Sequence, residues 1–296
     1  MLNPAEGHTD AEDNGMGDEG RPVYAVFGNP IKHSKSPAIH LEFARQFNDQ
    51  LTYRALSVEP KDFEARVHAF FDGGAAGLNI TMPFKERAFA MADEVSDRAA
   101  RARAANWLAP LPGGGLRADT TDGVGMVRDM VANHGWTLAG RRALVIGAGG
   151  AVRGVLQPLL RESPASLTVV NRTAERAEQL AADFSSDNNV AISGGGFESI
   201  EGETFDLIIN GTGASLKGEM LALPGVQLSD RCCCYDMGYG SEPTPFMRWA
   251  ASQAAWAVAD GLGMLVEQAA ESFYLWRGKR PETTSVIQLL RQQMES

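Results

Sequence analysis

The chain is short of the residues that build metal sites, membrane spans and nucleic-acid grooves. Of its 296 residues only three are cysteine and five histidine. The cysteines are consecutive, Cys232 to Cys234. Neighbours on a strand point to opposite faces, so this run does not supply the spaced ligands of a zinc site. The expectation is three reduced, largely buried thiols in a strand, which suits a reducing compartment. His, Asp and Glu do not cluster at ligand spacing, and no metal is expected. No apolar run approaches the roughly 20 residues that cross a bilayer, so no membrane role is expected. A basic stripe to neutralise phosphates is missing too, which argues against a nucleic-acid partner. Lys and Arg are absent from the first twenty residues, where six acids lie: Glu6, Asp10, Glu12, Asp13, Asp18 and Glu19. Those six carry more than half of the net charge of −10, so the remainder is only mildly acidic. Residues 1–21 are polar and aperiodic and read as a disordered acidic tail. They lack the basic start and apolar stretch of an export signal, which points to the cytoplasm.

What is present is an α/β cadence, in a chain long enough for two domains. Apolar runs at 23–28, 51–58 and 77–81 read as strands, and 37–47 and 61–71 as helices. Residues 106–119 read as two short strands joined by the turn Gly113-Gly114-Gly115. The alternation predicts a largely parallel sheet. A second cycle begins after Gly140: a strand over 142–147, a helix to about 160, then strands at 167–171, 205–210 and 232–237. That is the rhythm of a doubly wound, Rossmann-like half. The chain ends in helices. Positions 265, 268, 269, 272, 273 and 276 share one helical face, and Gln268 interrupts its mostly apolar stripe. A buried amide needs partners or costs about 1–3 kcal/mol. Gln268 therefore either ties two loops together or faces a polar ligand.

The segment Gly147-Ala148-Gly149-Gly150-Ala151-Val152-Arg153 lies between a predicted strand and a predicted helix. In that setting glycines let the backbone approach a pyrophosphate, and the helix start offers free N–H groups. The tip of the next strand reads Asn171-Arg172-Thr173, with Arg176 one turn on. An acid there would favour NAD. Two guanidinium groups instead suit a 2′-phosphate, and NADP is the cofactor expected.

Three further segments fall at strand ends: Gly28-Asn29-Pro30-Ile31-Lys32-His33-Ser34-Lys35-Ser36-Pro37, Asn79-Ile80-Thr81-Met82-Pro83-Phe84-Lys85, and Asp119-Thr120-Thr121-Asp122-Gly123. Together with the glycine loop, Asn171-Arg172-Thr173 and Asp260-Gly261-Leu262-Gly263-Met264-Leu265, they closely resemble shikimate dehydrogenases. The resemblance runs from about residue 22 to the end. It implies an α/β substrate domain over 22–122, completed by helices over 260–296. An NADP-binding Rossmann-like domain over 123–259 follows, with the active site in the cleft between. The implied activity is reversible NADPH-dependent reduction of 3-dehydroshikimate, a small-molecule substrate, by a monomer or homodimer.

Carried over by position, the resemblance implies Lys85 and Asp122 as the catalytic pair. It implies Ser34 and Ser36 on the substrate carboxylate, and Asn79, Thr81, Asn106 and Gln268 on the ring hydroxyls. Tyr239 and Met237 would close over substrate and nicotinamide. Cofactor contacts would come from Gly147, Ala148, Gly149, Gly150, Ala151, Asn171, Arg172, Thr173, Arg176, Thr212 and Gly261. The chain departs from the family at Thr120, at Trp107 (usually Thr), at Gly211 and Gly213 in the stretch that usually reads Asn-Ala-Thr, and at Val152 (usually smaller). His40 falls within a helix and is expected to be structural, and His33 to position Ser34. The competing readings are an NAD-dependent quinate/shikimate dehydrogenase of broader range and a non-catalytic binding protein. Arg172 and Arg176 oppose the first, Lys85 and Asp122 the second.

Overall fold

A strand covered on both faces has apolar residues at every position, and β1 (Val23–Gly28) is such a strand, buried along its whole length. Val23, Ala25 and Phe27 enter one core cluster, and Tyr24 and Val26 the other. The structure, a computed structural model, describes residues 20–185, 190–214, 219, 223 and 225–295. Most of the segment read as an acidic tail lies outside the described residues.

The first sheet holds β1, β2 (Thr52–Ser57), β3 (Gly77–Ile80), β4 (Glu94–Val95), β5 (Trp107–Pro110) and β6 (Leu116–Asp119), in the order β2-β1-β3-β5-β6-β4. It is largely parallel, as expected, and the exception is the expected glycine-turn hairpin, whose strand β5 runs against both β3 and β6. The glycine turn after β5 allows this immediate reversal, and it sets the start of β5 and the end of β6 at the carboxyl edge of β3. Helix α1 (Ser36–Gln46) packs on one face, and α2 (Phe63–Asp72) and α3 (Lys85–Ala90) on the other. Helix α4 (Asp97–Ala102) follows β4, with Ser96 accepting from the Ala99 amide at its start.

The second sheet is fully parallel. Its strands are β7 (Arg142–Ile146), β8 (Ser166–Val170), β9 (Ala191–Gly195), β10 (Thr204–Asn210), β11 (Gln227–Asp236) and β12 (Ala257–Ala259). The order β12-β11-β10-β7-β8-β9 is the doubly wound nucleotide-binding arrangement. Alternation again divides two cores. Ala143, Val145 and Cys233 face one, and Leu144, Ile146, Cys232 and Cys234 the other. The three thiols are buried, and burial pushes Cys233 up to about 11.

Helix α5 (Asp122–Arg128) lies between the halves and runs on into a wider π-type turn over Asp129–Asn133. It packs against α6 (Gly150–Arg161) and α9 (Leu262–Arg277). Contact with α9 is close because Gly125 has no side chain; a Cβ there would lie 2.6 Å from the Gln268 backbone nitrogen. Helices α7 (Ala174–Ser185) and α8 (Pro245–Ser252) cover the second sheet, while α9 and α10 (Thr284–Glu295) return to the first. Polar burial in α9 extends beyond the stripe that holds Gln268 and Ser272: Glu267 and Glu271 are buried too. Glu267 binds Arg128, Asn133 and Thr283, and Glu271 binds Arg98 and Arg280.

Candidate active site

Lys85 and Asp122 each open a helix, α3 and α5, and the fold brings those two starts together. The Lys85 ammonium donates to Asp122 Oδ2 at 2.7 Å, with the two side chains 28% and 14% exposed. Asp122 is held from its other oxygen as well, by Asn106 Nδ2 at 3.0 Å. Asn106 in turn accepts the Thr121 amide at 2.8 Å, so strand β5 and the turn after β6 share one anchor. That turn is pinned from below. Arg98 grips Asp119 through two bonds of 2.6 and 3.0 Å and reaches Glu271 of α9 at 3.0 Å. A partly exposed ion pair adds little stability, and the arrangement sets an ammonium that can donate a proton beside a fixed carboxylate.

The other expected substrate residues fall into two layers. Ser34 and Ser36 lie at the start of α1, where the Ser36 amide donates to Ser34 Oγ at 3.3 Å. Thr81 follows β3 and is half-buried, as is Gln268 on α9. Gln268 Oε1 sits 3.3 Å from Asn106 Nδ2, while its Nε2 donates to the Leu265 carbonyl at 2.8 Å. Tyr239 is half-buried, and burial together with nearby Asp260 raises its phenol. Asn79 stands one layer back, buried, with its amide donating to Asn106 O at 2.9 Å and Ser272 Oγ at 3.1 Å. Both of its amide hydrogens are taken up by protein partners, and its Oδ1 accepts from the Tyr53 hydroxyl at 2.7 Å.

Across the cleft, the glycine loop leaves β7 and enters α6. Gly147 has φ +109 and donates to the Val170 carbonyl at 2.7 Å, which turns the chain back over the sheet. Gly149, Gly150 and Ala151 are exposed at the helix start, where the first amides lack helical acceptors. A Cβ on Gly150 would stand 3.9 Å from Glu86 Oε1, so this loop faces the helix that carries Lys85. Thr212 packs beside Gly147 and donates to Asn210 Oδ1 at 2.8 Å. Asn171 Nδ2 donates to the Thr173 carbonyl at 3.0 Å, shaping the tip of β8. Arg172 and Arg176 are exposed there without a carboxylate partner among the described residues. Open amides at a helix start and two unpaired guanidinium groups one strand away fit a dinucleotide with a 2′-phosphate. Met237 lies at the end of β11, and Gly261, first before α9, leaves room for the Met237 carbonyl. A separate groove of 580 Å³, lined by residues including Asp129, His134, Asp260 and Arg291, does not include Lys85, Asp122 or the glycine loop.

Family models match three stretches of the chain: a shikimate dehydrogenase substrate-binding domain over 26–108, a shikimate/quinate 5-dehydrogenase domain over 129–217, and a shikimate 5′-dehydrogenase C-terminal domain over 261–291. A shikimate dehydrogenase (NADP(+)) of Cellvibrio japonicus is 53% identical over 92% of this chain and 98% of its own. The chain belongs to the shikimate dehydrogenase family. A second relative of that name, from Alkalilimnicola ehrlichii, is 53% identical over 90% of this chain and 98% of its own. Among solved structures, an Ael1 enzyme from Pseudomonas putida superposes with a TM-score of 0.84 at 45% identity, covering 91% of this chain and 98% of that one. A shikimate 5-dehydrogenase from Thermus thermophilus, in complex with NADP(H) and shikimate, has a TM-score of 0.79 at 29% identity, covering 92% and 99%.

Two departures from the family pattern compensate each other. Val152 points into the core beneath the glycine loop and is fully buried. A Cβ on residue 211 would overlap its Cγ2, and residue 211 is glycine. The larger residue on α6 thus occupies the space left by the smaller one after β10. Trp107 points away from the pocket: its Nε1 donates to the Ser272 carbonyl at 3.3 Å and its ring lies 5.9 Å from that of Trp276. His40 is structural, as expected, stacked on Tyr53 at 4.2 Å. Sequence reasoning missed Tyr53, Thr121 and Ser272, all buried against Asn79 and Asn106. Only the serine at position 272 of the inward stripe, beside Gln268, hints at them.

Proposed function

We propose that this chain catalyses the reversible, NADPH-dependent reduction of 3-dehydroshikimate to shikimate, in the biosynthesis of chorismate and aromatic amino acids. The observation that carries the reading is the Lys85–Asp122 contact of 2.7 Å, braced by Asn106, at the mouth of a cleft facing the glycine loop. Bound NADPH supplies the hydride. As the ring ketone is reduced, negative charge grows on its oxygen, and Lys85 donates the proton that neutralises it. In the reverse direction the Lys85 amine takes that proton back. Asp122 holds Lys85 in line and accepts from a neighbouring ring hydroxyl. Ser34 and Ser36 bind the substrate carboxylate with the start of α1 behind them. Thr81, Asn106 and Gln268 bind ring hydroxyls, and Tyr239 closes the substrate side. The cofactor is held by residues 147–151 on its pyrophosphate, by Asn171, Arg172, Thr173 and Arg176 on its adenosine end, and by Thr212, Met237 and Gly261 toward the nicotinamide. Residues 22–122 with 260–296 form the substrate domain and 123–259 the nucleotide domain. The enzyme works in the cytoplasm as a monomer or homodimer.

The experiment is absorbance of reduced nicotinamide after shikimate and NADP⁺ are added, for wild type and Lys85→Ala. The expected result is turnover by the wild type, preferring NADP⁺ to NAD⁺. In the variant kcat falls by about 10²-fold or more with a modest change in KM. Shikimate binding without turnover by the wild type overturns the reading, and undiminished kcat in Lys85→Ala removes that residue from the proton-transfer role.

A further inference from the structure

We infer that Ser272 is a positioning residue, whose hydroxyl links a buried hydrogen-bond chain that braces the amides of Asn106 and Gln268 in the substrate pocket. The inference rests on the function proposed above. The chain starts at Tyr53, whose hydroxyl donates to Asn79 Oδ1 at 2.7 Å. Burial raises the Tyr53 phenol well above its ordinary value, so it remains a donor. With the oxygen of Asn79 directed at Tyr53, both hydrogens of Nδ2 point the other way, one to the Asn106 carbonyl at 2.9 Å and one to Ser272 Oγ at 3.1 Å.

Ser272 therefore receives, and it has a single proton to give. The acceptor within reach is Thr121 Oγ1, at 3.2 Å. Thr121 Oγ1 also receives from Asn106 Nδ2 at 2.9 Å. Its own proton must then go to Asn106 Oδ1 at 3.2 Å or Gln268 Oε1 at 3.4 Å. Either choice presents an amide oxygen to Thr121. Asn106 is left with its nitrogen on Asp122 Oδ1, and Gln268 with its nitrogen toward Leu265 O. One hydrogen of Gln268 Nε2 is used on that carbonyl, and the other has no protein acceptor among the described residues. Ser272 is fully buried, so water cannot replace its hydroxyl from the surface. Its place on α9, one turn beyond Gln268, lets one helix supply both the ligand-facing amide and a hydroxyl that braces the wall behind it.

Ser272→Ala deletes the relay while leaving the helix intact. The steady-state constants should then split: KM for shikimate rises about tenfold or more, kcat falls, and KM for NADP⁺ stays at the wild-type value, because the glycine loop is untouched. Thr121→Val breaks the same chain one link on, so the double variant should be little worse than the poorer single one. Trp107→Phe separates structure from positioning. It removes the indole bond to the Ser272 carbonyl but keeps the hydroxyl, and should lower Tm without moving KM for shikimate. If Ser272→Ala keeps wild-type kinetics, or if KM rises equally for both ligands, the positioning role is overturned and the dehydrogenase reading stands. Multiplying effects of Ser272→Ala and Thr121→Val also overturn it. A wild type that never turns over shikimate removes both proposals.

Discussion

Gly211→Ala tests how the nucleotide half is packed under its phosphate loop. The added Cβ would overlap Val152 Cγ2 and come within 3.1 Å of Met237 Sδ. Val152 cannot swing to solvent, being fully buried in the first turn of α6, and a β-branched side chain in a helix has one favoured rotamer. The backbone at residue 211 is outside the left-handed region, so the cost is steric crowding and not φ/ψ strain. Overpacking a filled site costs about 1–3 kcal/mol. Alanine recovers about 0.4–1 kcal/mol through a stiffer unfolded chain, which leaves a net loss of about 1–2 kcal/mol. Val152→Ala alone opens a hole and costs about 2 kcal/mol. In the double variant the new methyl enters the space the valine gave up. Its destabilisation should fall short of the sum of the two by about 1–2 kcal/mol. Denaturant titrations at constant m-value measure all three, and each kcal/mol corresponds to about 2–4 °C in Tm for a chain of this size. Because the loop over Val152 carries the proposed pyrophosphate seat, Gly211→Ala should also raise KM for NADP⁺, and the double variant should bring it back. Strict additivity of the two losses would refute the idea that residues 152 and 211 share one volume.

Arg172→Ala should raise KM for NADP⁺ about tenfold or more and leave KM for NAD⁺ nearly unchanged, since only the 2′-phosphate is deprived of a partner. Equal effects on both cofactors would remove Arg172 from that role. His40 makes a pH prediction. Burial holds its imidazole neutral, with the pKa lowered from 6.5 to about 3 against a smaller opposing effect of the nearby Asn79 side chain. The unfolded chain takes up this proton as pH drops below about 6.5, whereas the folded chain resists until about 3. Stability from neutral His40 is therefore complete above about pH 6.5 and is lost between 6.5 and 3, about 2 kcal/mol of it by pH 5. His40→Phe keeps a ring against Tyr53 and should show a shallower fall of Tm between pH 7 and pH 5. Parallel curves for the two proteins would show that His40 does not carry the acid sensitivity.

Much of this molecule could be read directly because its signals are contiguous. The run of six buried residues in β1 needs no partner to announce a covered strand. The glycine loop, Arg172 and Arg176 carry their chemistry within one βαβ unit, and local geometry delivers them to one end of the sheet. What was not legible shares the opposite property. The antiparallel course of β5 depends on which edge of β3 is free, and the two-residue β4 is too short to have a period. Glu267 and Glu271 are charged and would be read as solvent-facing, yet Arg128, Thr283, Arg98 and Arg280 offset the cost of their burial. Ser272 meets Asn79 across 193 residues of chain, and Thr121 across 151. Sequence alone determined most of the longer strands, several of the helices and the chemical groups at the strand ends, because these follow from near neighbours, while the short β4 and β12, the edge strand β9 and the helices α4, α7 and α8 were not picked out. Which polar groups are buried, and which way their hydrogens point, was decided only when distant segments packed together, since a hydrogen bond belongs to two residues and neither one specifies the other.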